Sequence, residues 1–349
     1  MASRYDTPRA ALAELLADEP GYRVDQVWQG LYERGVGPDE MTNLPAALRA
    51  RLGEALPAAL APVTESVGDG GDTIKWLWGL ADGHQVETVL MHYPGRSTVC
   101  ISTQAGCAMA CGFCATGQAG FDRNLTVGEI VEQVVRARVA AAPRRLSNVV
   151  FMGMGEPLAN YERTWDAVRL LHGQLGLSAR HLTVSTVGVV PGIRRMAGED
   201  LPVNLAVSLH AANDTLRDQL VPLNRRYPLD VLHQVCTEYL AAKNRRLSLE
   251  WALIDGVNDR PRDAAELADF ARSLRAHVNL IPLNPTAGYA TRGSPPDRVA
   301  AFAERLAGLG ANATVRRNRG TSIDAACGQL RATHVAQPGR RPPPTARAR

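Results

Sequence analysis

From Ser97 onward the chain alternates short apolar runs with amphipathic stretches, the runs being TVCIST, NVVFM, HLTVST, VNLAVSLH, LSLEWALI and VNLIPL. Runs of this length read as strands, and the stretches between them carry helical spacing. Repeated strand-then-helix order calls for a parallel sheet with helices on its outside. Six such units fall short of the eight that close a TIM barrel, so the expected fold is α/β, a partial TIM-like (β/α)6 barrel. NATVRR then adds a strand, and NRGTSIDAACGQL a functional loop.

The residues before this barrel read differently. Residues 9 to 61 suggest short helices, with Val24, Val27, Trp28 and Leu31 at helical spacing. Val67 to Tyr93 alternates as a β-ribbon would, with Trp76 and Trp78 packing within it. The expected organisation is a small helical domain over 1–62, a ribbon linker over 63–92, the barrel with its last loop over 93–330, and a Pro- and Arg-rich disordered tail over 331–349. The first residues lack the basic-then-apolar order of a signal peptide, and no apolar run approaches the ~20 residues of a membrane span. A soluble cytoplasmic chain, taken as a monomer, is expected.

In parallel barrels the chemistry gathers on loops after the carboxyl ends of strands, and polar motifs fall at those places. Cys107, Cys111 and Cys114 follow the first strand, and Gly-Met-Gly-Glu-Pro (153–157) the second. Ser185 ends the third, Ser208 to His210 end the fourth, and Asn284 follows the sixth.

The stretch CAMACGFC puts three thiols within eight residues and leaves no fourth cysteine nearby. Structural zinc sites pair one Cys-x-x-Cys with a second, distant pair of ligands, which is absent here. Ferredoxin clusters use four cysteines; three would hold three irons of a 4Fe-4S cluster and leave the fourth open. The six cysteines are not spaced as a secreted disulfide framework. Cys236, in LHQVCTEYL, has the apolar spacing of a core position.

A formal charge of +4 allows a nucleic-acid partner without requiring one. Lys75 and Lys243 are the only lysines. Arginine elsewhere suits phosphate contact and stacking on bases, and genomic codon bias explains it equally well. Arg316, Arg317 and Arg319 read either as phosphate contacts or as a solvated basic face.

The cysteine loop resembles that of the radical S-adenosylmethionine (SAM) superfamily, in which SAM chelates the open iron. GMGEP resembles the superfamily's Gly-Gly-Glu-Pro element, and Phe113 the aromatic often found beside the last cysteine. CATGQAGFDRNLT, SLHAANDTLRDQLVPLNRRYPL, IPLNP and RGTSIDAACGQL together resemble the bacterial RNA methyltransferases that modify the C-2 carbon of adenine in 23S rRNA and tRNA. The resemblance implies a radical SAM barrel carrying one 4Fe-4S cluster on Cys107, Cys111 and Cys114, two SAM molecules per turnover, and an RNA-binding role for the N-terminal helices. It implies that Gly155, Glu156, Ser185, Ser208, Leu209, His210 and Asn284 hold SAM. Cys327 would carry a methyl group, Cys100 would resolve a protein–RNA adduct through a disulfide, and Glu87 would accept a proton. Reduced flavodoxin or ferredoxin would supply electrons.

Taken alone, several of these residues read more plainly. Cys100 lies in an apolar run and reads as core, Glu87 as a solvated ribbon residue, and His210 as a satisfied core-edge histidine. Two other functions stay open at this point: methylation at the C-8 carbon of the same adenine, which gives antibiotic resistance, and a non-catalytic iron-sulfur protein that binds RNA.

Overall fold

The computed structural model describes residues 2–283 and 292–316. Its N-terminal part contains α1 (Arg9–Leu15), α2 (Tyr22–Gln29) and α3 (Ala46–Ala55). Val27, Leu31, Leu48 and Leu52 are buried in an apolar core continuous with that of the barrel. Polar contacts lock this part in place: the Gly128 N–H donates to Asp6 Oδ1 at 2.6 Å, and Trp28 Nε1 to Gln174 Oε1 at 2.9 Å.

The ribbon has three strands, β1 (Ala61–Gly68), β2 (Thr73–Gly79) and β3 (Gln85–Tyr93). It starts six residues before the expected Val67. Trp76 and Trp78 stack at 5.8 Å between ring centroids, as anticipated. The ribbon joins the barrel directly, because β3 pairs antiparallel with β4 (Arg96–Cys100).

From β4 onward the sheet is parallel, running through β7 (Leu146–Phe151), β8 (Leu182–Thr186), β9 (Asn204–Ser208), β10 (Leu247–Leu253), β11 (His277–Pro282) and β12 (Asn312–Val315). The six expected strands and the added seventh are all present, and the sheet stays open, a partial barrel as the alternation required. Between β4 and β7 a two-stranded hairpin, β5 (Gln104–Gly106) with β6 (Phe121–Asn124), carries the short α4 (Ala115–Gln118) in its loop.

Helices α5 (Val127–Ala141), α6 (Tyr161–Gly173), α7 (Val190–Gly198), α8 (Asp214–Leu220), α9 (Leu229–Lys243), α10 (Pro261–Ser273) and α11 (Pro296–Gly308) fill the crossovers. The first starts where Thr126 and Glu129 exchange hydrogen bonds with each other's N–H groups, the reciprocal cap that T-x-x-E before an apolar run encodes. Cys236 is fully buried on α9, the core position its spacing indicated.

Alternation along the strands divides two environments. Val99, Val149, Val184, Leu205, Leu249 and Val278 are fully buried in the apolar core. Register then aligns Cys100, Val150, Ser185, Ser208, Glu250 and Asn279 on the opposite, lumen face. A core on one face and polar groups on the other puts a reactive surface inside the barrel. Among the described residues, no helix is long and apolar enough to cross a membrane.

Candidate active site

Cys107, Cys111 and Cys114 lie in the loop of the β5–β6 hairpin, which closes as the Cys107 N–H donates to Gly120 O at 2.7 Å. Gly106 makes this closure possible: it has φ +80, and a Cβ there would lie 2.1 Å from Gly120 O. Only glycine tolerates both. The loop lies against α8, with the Gly112 N–H donating to Leu220 O. Although they sit in a loop, Cys111 is 5% exposed and the other two cysteines are half-buried. The chain folds back over them.

The three cysteines line a cavity of about 210 Å³ together with Gly155, Glu156, Ser185, Ser208 and His210. Burial pushes the Cys107 thiol up to about 12 and raises Cys111 further, with mutual repulsion among the cysteines adding to both. Without metal the Cys107 and Cys111 thiols are protonated, so binding a metal must release protons from them. Among the described residues, no three His, Cys, Asp or Glu side chains converge on a single-ion site. A cubane asks for no such convergence, since each thiolate would meet a different iron. Three soft thiols lining one cavity fit an iron-sulfur cluster.

Glu156 stands at the end of β7, where the chain turns into Pro157–Asn160. Its N–H donates to Gln104 Oε1 at 2.8 Å. Its carboxylate accepts from Leu158 N at 3.0 Å and Val187 N at 2.9 Å. Burial outweighs these hydrogen bonds and raises its pKa to about 7. Gly155, with φ +101, brings the turn so close to the hairpin that a Cβ would sit 2.5 Å from Gln104 Cβ. GMGEP is therefore a strand-to-helix turn pressed against the β5–β6 hairpin.

Ser185 and Ser208 bring their hydroxyls within 3.4 Å of each other. His210 adopts φ +59, and its Nδ1 accepts the Ala252 N–H at 3.0 Å. An amide can only donate, so Nδ1 is bare and Nε2 carries the proton. Burial depresses the ring pKa to about 3, which keeps it neutral. The Phe113 ring meets it edge-on, 4.5 Å between centroids. Leu209 differs from its neighbours. It is fully buried, its N–H donates to Glu250 O, and its carbonyl accepts from Arg217 Nε.

Arg217 is a group that sequence reasoning passed over. It is 1% exposed and donates to Leu209 O at 3.1 Å, Val187 O at 2.6 Å, Ser208 O at 3.4 Å and Asn224 Oδ1 at 2.8 Å. Val187 gives its N–H to Glu156, so one guanidinium ties the β8 and β9 ends to the carboxylate. An arginine in LRDQL reads from sequence as the solvated face of a helix, and no pattern signals its burial. Glu250 was missed also. It is 4% exposed in the cavity wall, accepts from Asn279 Nδ2 at 2.8 Å, and its pKa is raised by burial. Arg316 is exposed, as a solvated basic residue would be, and also lines the rim of the same cavity.

Cys100 and Glu87 stand beside this cavity. Cys100 is half-buried on the lumen face, not in the apolar core its run suggested. Burial pushes its thiol up to about 11, opposed by Arg316 and by the Met152 N–H. Glu87 is 3% exposed, which overturns its reading as a solvated ribbon residue. Its Oε2 lies 3.0 Å from Lys75 Nζ. Asn284, Arg317, Arg319 and Cys327 lie outside the described residues.

Comparison with known proteins agrees with this geometry. The model of the radical SAM superfamily matches residues 101–270. The crystal structure of a radical SAM methyltransferase from Sphaerobacter thermophilus superposes with a TM-score of 0.90 at 50% identity, covering 94% of this chain and 99% of that one. A fold of this kind, with thiols after β4 and a buried glutamate after β7 lining one cavity, is a radical SAM barrel, and membership in that superfamily implies a 4Fe-4S cluster and SAM.

Among curated relatives, the dual-specificity RNA methyltransferase RlmN 1 of Myxococcus xanthus (strain DK1622) is 50% identical, with 99% of this chain and 98% of the relative covered. A probable dual-specificity RNA methyltransferase RlmN of Parafrankia sp. (strain EAN1pec) is 51% identical over 95% of this chain and 94% of its own length. The chain belongs to the RlmN family of dual-specificity RNA methyltransferases.

Proposed function

We propose that the chain methylates the C-2 carbon of adenine in 23S rRNA and tRNA through a methylated Cys327. The observation that carries this reading is the lumen face itself, which sets Cys100 in line with the cavity wall that Glu156 and the three loop cysteines complete. The C-2 carbon lies between two ring nitrogens and is too electron-poor to attack the methyl of SAM. A carbon radical adds to it instead.

Cys107, Cys111 and Cys114 hold the cluster, which when bound supplies the electron that cleaves SAM to methionine and a 5'-deoxyadenosyl radical. Glu156 receives the SAM ammonium, and the Ser185–Ser208 pair, neutral His210 and Asn284 complete its seat. Cys327 acts as a thiolate nucleophile toward a first SAM. Its new methyl loses a hydrogen atom to the radical made from a second SAM, and the methylene carbon joins C-2. Glu87 takes the C-2 proton while the radical adduct gives up one electron, which the oxidised cluster would take back. The Cys100 thiol attacks the Cys327 sulfur, the bond from that sulfur to the methylene carbon breaks, the released carbon takes up the thiol's proton to become the methyl, and a Cys100–Cys327 disulfide is left for reduction.

In this reading residues 1–62 grip RNA, 63–92 link them to the catalytic core over 93–330, and flavodoxin or ferredoxin delivers electrons to a cytoplasmic monomer. Anaerobically reconstituted protein should methylate RNA at C-2, as read by nucleoside mass spectrometry against C-2 and C-8 standards. A C-8 product or full methylation by Cys327→Ala would refute it.

A further inference from the structure

Register places Lys75 of β2 opposite Val89 of β3, and Val89 opposite Cys100 of β4. Side chains directly across a sheet share a face, and residues two apart on one strand share it too. Lys75, Glu87 and Cys100 therefore project from the same lumen face. Lys75 is 0% exposed and Glu87 is 3% exposed, with 3.0 Å between Nζ and Oε2.

Stability does not account for such a pair. Desolvating two charges costs as much as their attraction returns, so apolar residues of similar volume are often neutral or better in the same place. The surroundings offer that alternative, because Leu77, which the register sets directly across from Glu87 on the same face, is a fully buried apolar side chain. The identity of the cation is informative as well. Of 39 basic residues only Lys75 and Lys243 are lysine, so the buried position takes a compact ammonium in a chain that otherwise uses arginine. A point charge on a flexible stem meets one carboxylate oxygen, whereas a guanidinium fork seeks two.

We infer that Lys75 is the positioning residue for Glu87, holding its carboxylate in place on the lumen face beside Cys100. The inference rests on the reading of Glu87 as proton acceptor. In the step concerned, the C-2–H bond of the adduct breaks, its electron pair stays with the purine ring, and an O–H bond forms on Glu87. Lys75 neither touches the base nor receives the proton; it fixes the direction of the oxygen that does. Among the described residues, the other titratable or charged groups acting near this point are the Cys100 thiol and Arg316, which acts on Cys100.

The test uses the reconstituted holoenzyme with an RNA substrate, following SAM cleavage and methylated RNA separately. Lys75→Met should lower methylated RNA at least roughly tenfold while SAM cleavage stays within about twofold of wild type, because the interaction lost acts after radical formation. Covalent protein–RNA adduct should build up, as it should in Glu87→Gln. Wild-type methylation by Lys75→Met overturns the inference. So does a parallel loss of SAM cleavage, which marks a merely structural role.

Should Lys75→Met fail to fold, Lys75→Arg carries the test. It keeps the charge and moves it, the same split between the two readouts is expected, and wild-type methylation overturns the inference. Glu87→Gln separates the two layers. If it methylates as wild type, the assignment of Glu87 falls; if it is inactive while Lys75→Met is normal, only the role of Lys75 falls.

Discussion

The two sides of the barrel mouth are held by different forces. On the β7–β9 side, Glu156, Ser208 and His210 are fixed by hydrogen bonds to main chain and by one buried arginine, and His210 is neutral. On the β4 side an antiparallel ribbon brings a buried ion pair beside a cysteine. On the proposed reading the first arrangement seats the ammonium of SAM, and the second supplies the groups that act after SAM is cleaved. Damage to the pocket side should therefore remove SAM binding, and damage to the ribbon side should spare it.

The sharpest break in that comparison comes from Cys100→Ser. Methylated RNA should drop to background, because a hydroxyl cannot resolve the Cys327 adduct by forming a disulfide. SAM affinity, measured by equilibrium binding to reconstituted protein, should match wild type. A variant that lost SAM as well would mean that Cys100 belongs to the pocket.

On the pocket side, Arg217→Met removes a buried cation from four acceptors, the carbonyls of Val187, Ser208 and Leu209 and the Asn224 side chain. Stranding them should cost about 3–5 kcal/mol of stability, measured by denaturant unfolding, and weaken SAM binding with it. Unchanged stability would show that water replaces the guanidinium without penalty. Lys75→Met, its counterpart on the ribbon side, should leave SAM binding intact.

Sequence made the pocket side partly legible, since glycines and a glutamate at a strand end carry a local signal. Gly106 and Gly155 are required by close approach, and a motif records that requirement. The alternation of apolar runs gave the parallel sheet and even its added strand. The ion pair was less visible. Lys75 and Glu87 are 12 residues apart in sequence, each looks like an ordinary ribbon residue, and only the β2–β3 register makes them neighbours. Arg217 was invisible for a similar reason: three of its partners are main-chain carbonyls, one after β8 and two at the end of β9, and carbonyls have no sequence signature. Cys100 misled because a lumen face and an apolar core alternate along one strand, so a small apolar-looking side chain reads the same on either.

The smallest effect expected is a pH dependence that separates the two sides again. Burial raises Glu156 to about 7, so the empty pocket holds a proton that the unfolded chain releases at lower pH. The sign follows from linkage: the contribution of Glu156 to apo stability is full below about 4.5 and is lost as pH rises through about 7. SAM binding runs the other way, because the ammonium needs the carboxylate. From pH 6 to 7.5 SAM should bind roughly five- to tenfold more tightly, following the ionised fraction of a group titrating near 7. His210, at about 3, stays neutral over this range and contributes no slope. Glu156→Gln should bind SAM more weakly at every pH and give a flat profile, whereas Glu87→Gln should keep the wild-type slope. A slope surviving in Glu156→Gln would assign the titration to another group and remove the ionised carboxylate from the account of how the pocket selects SAM.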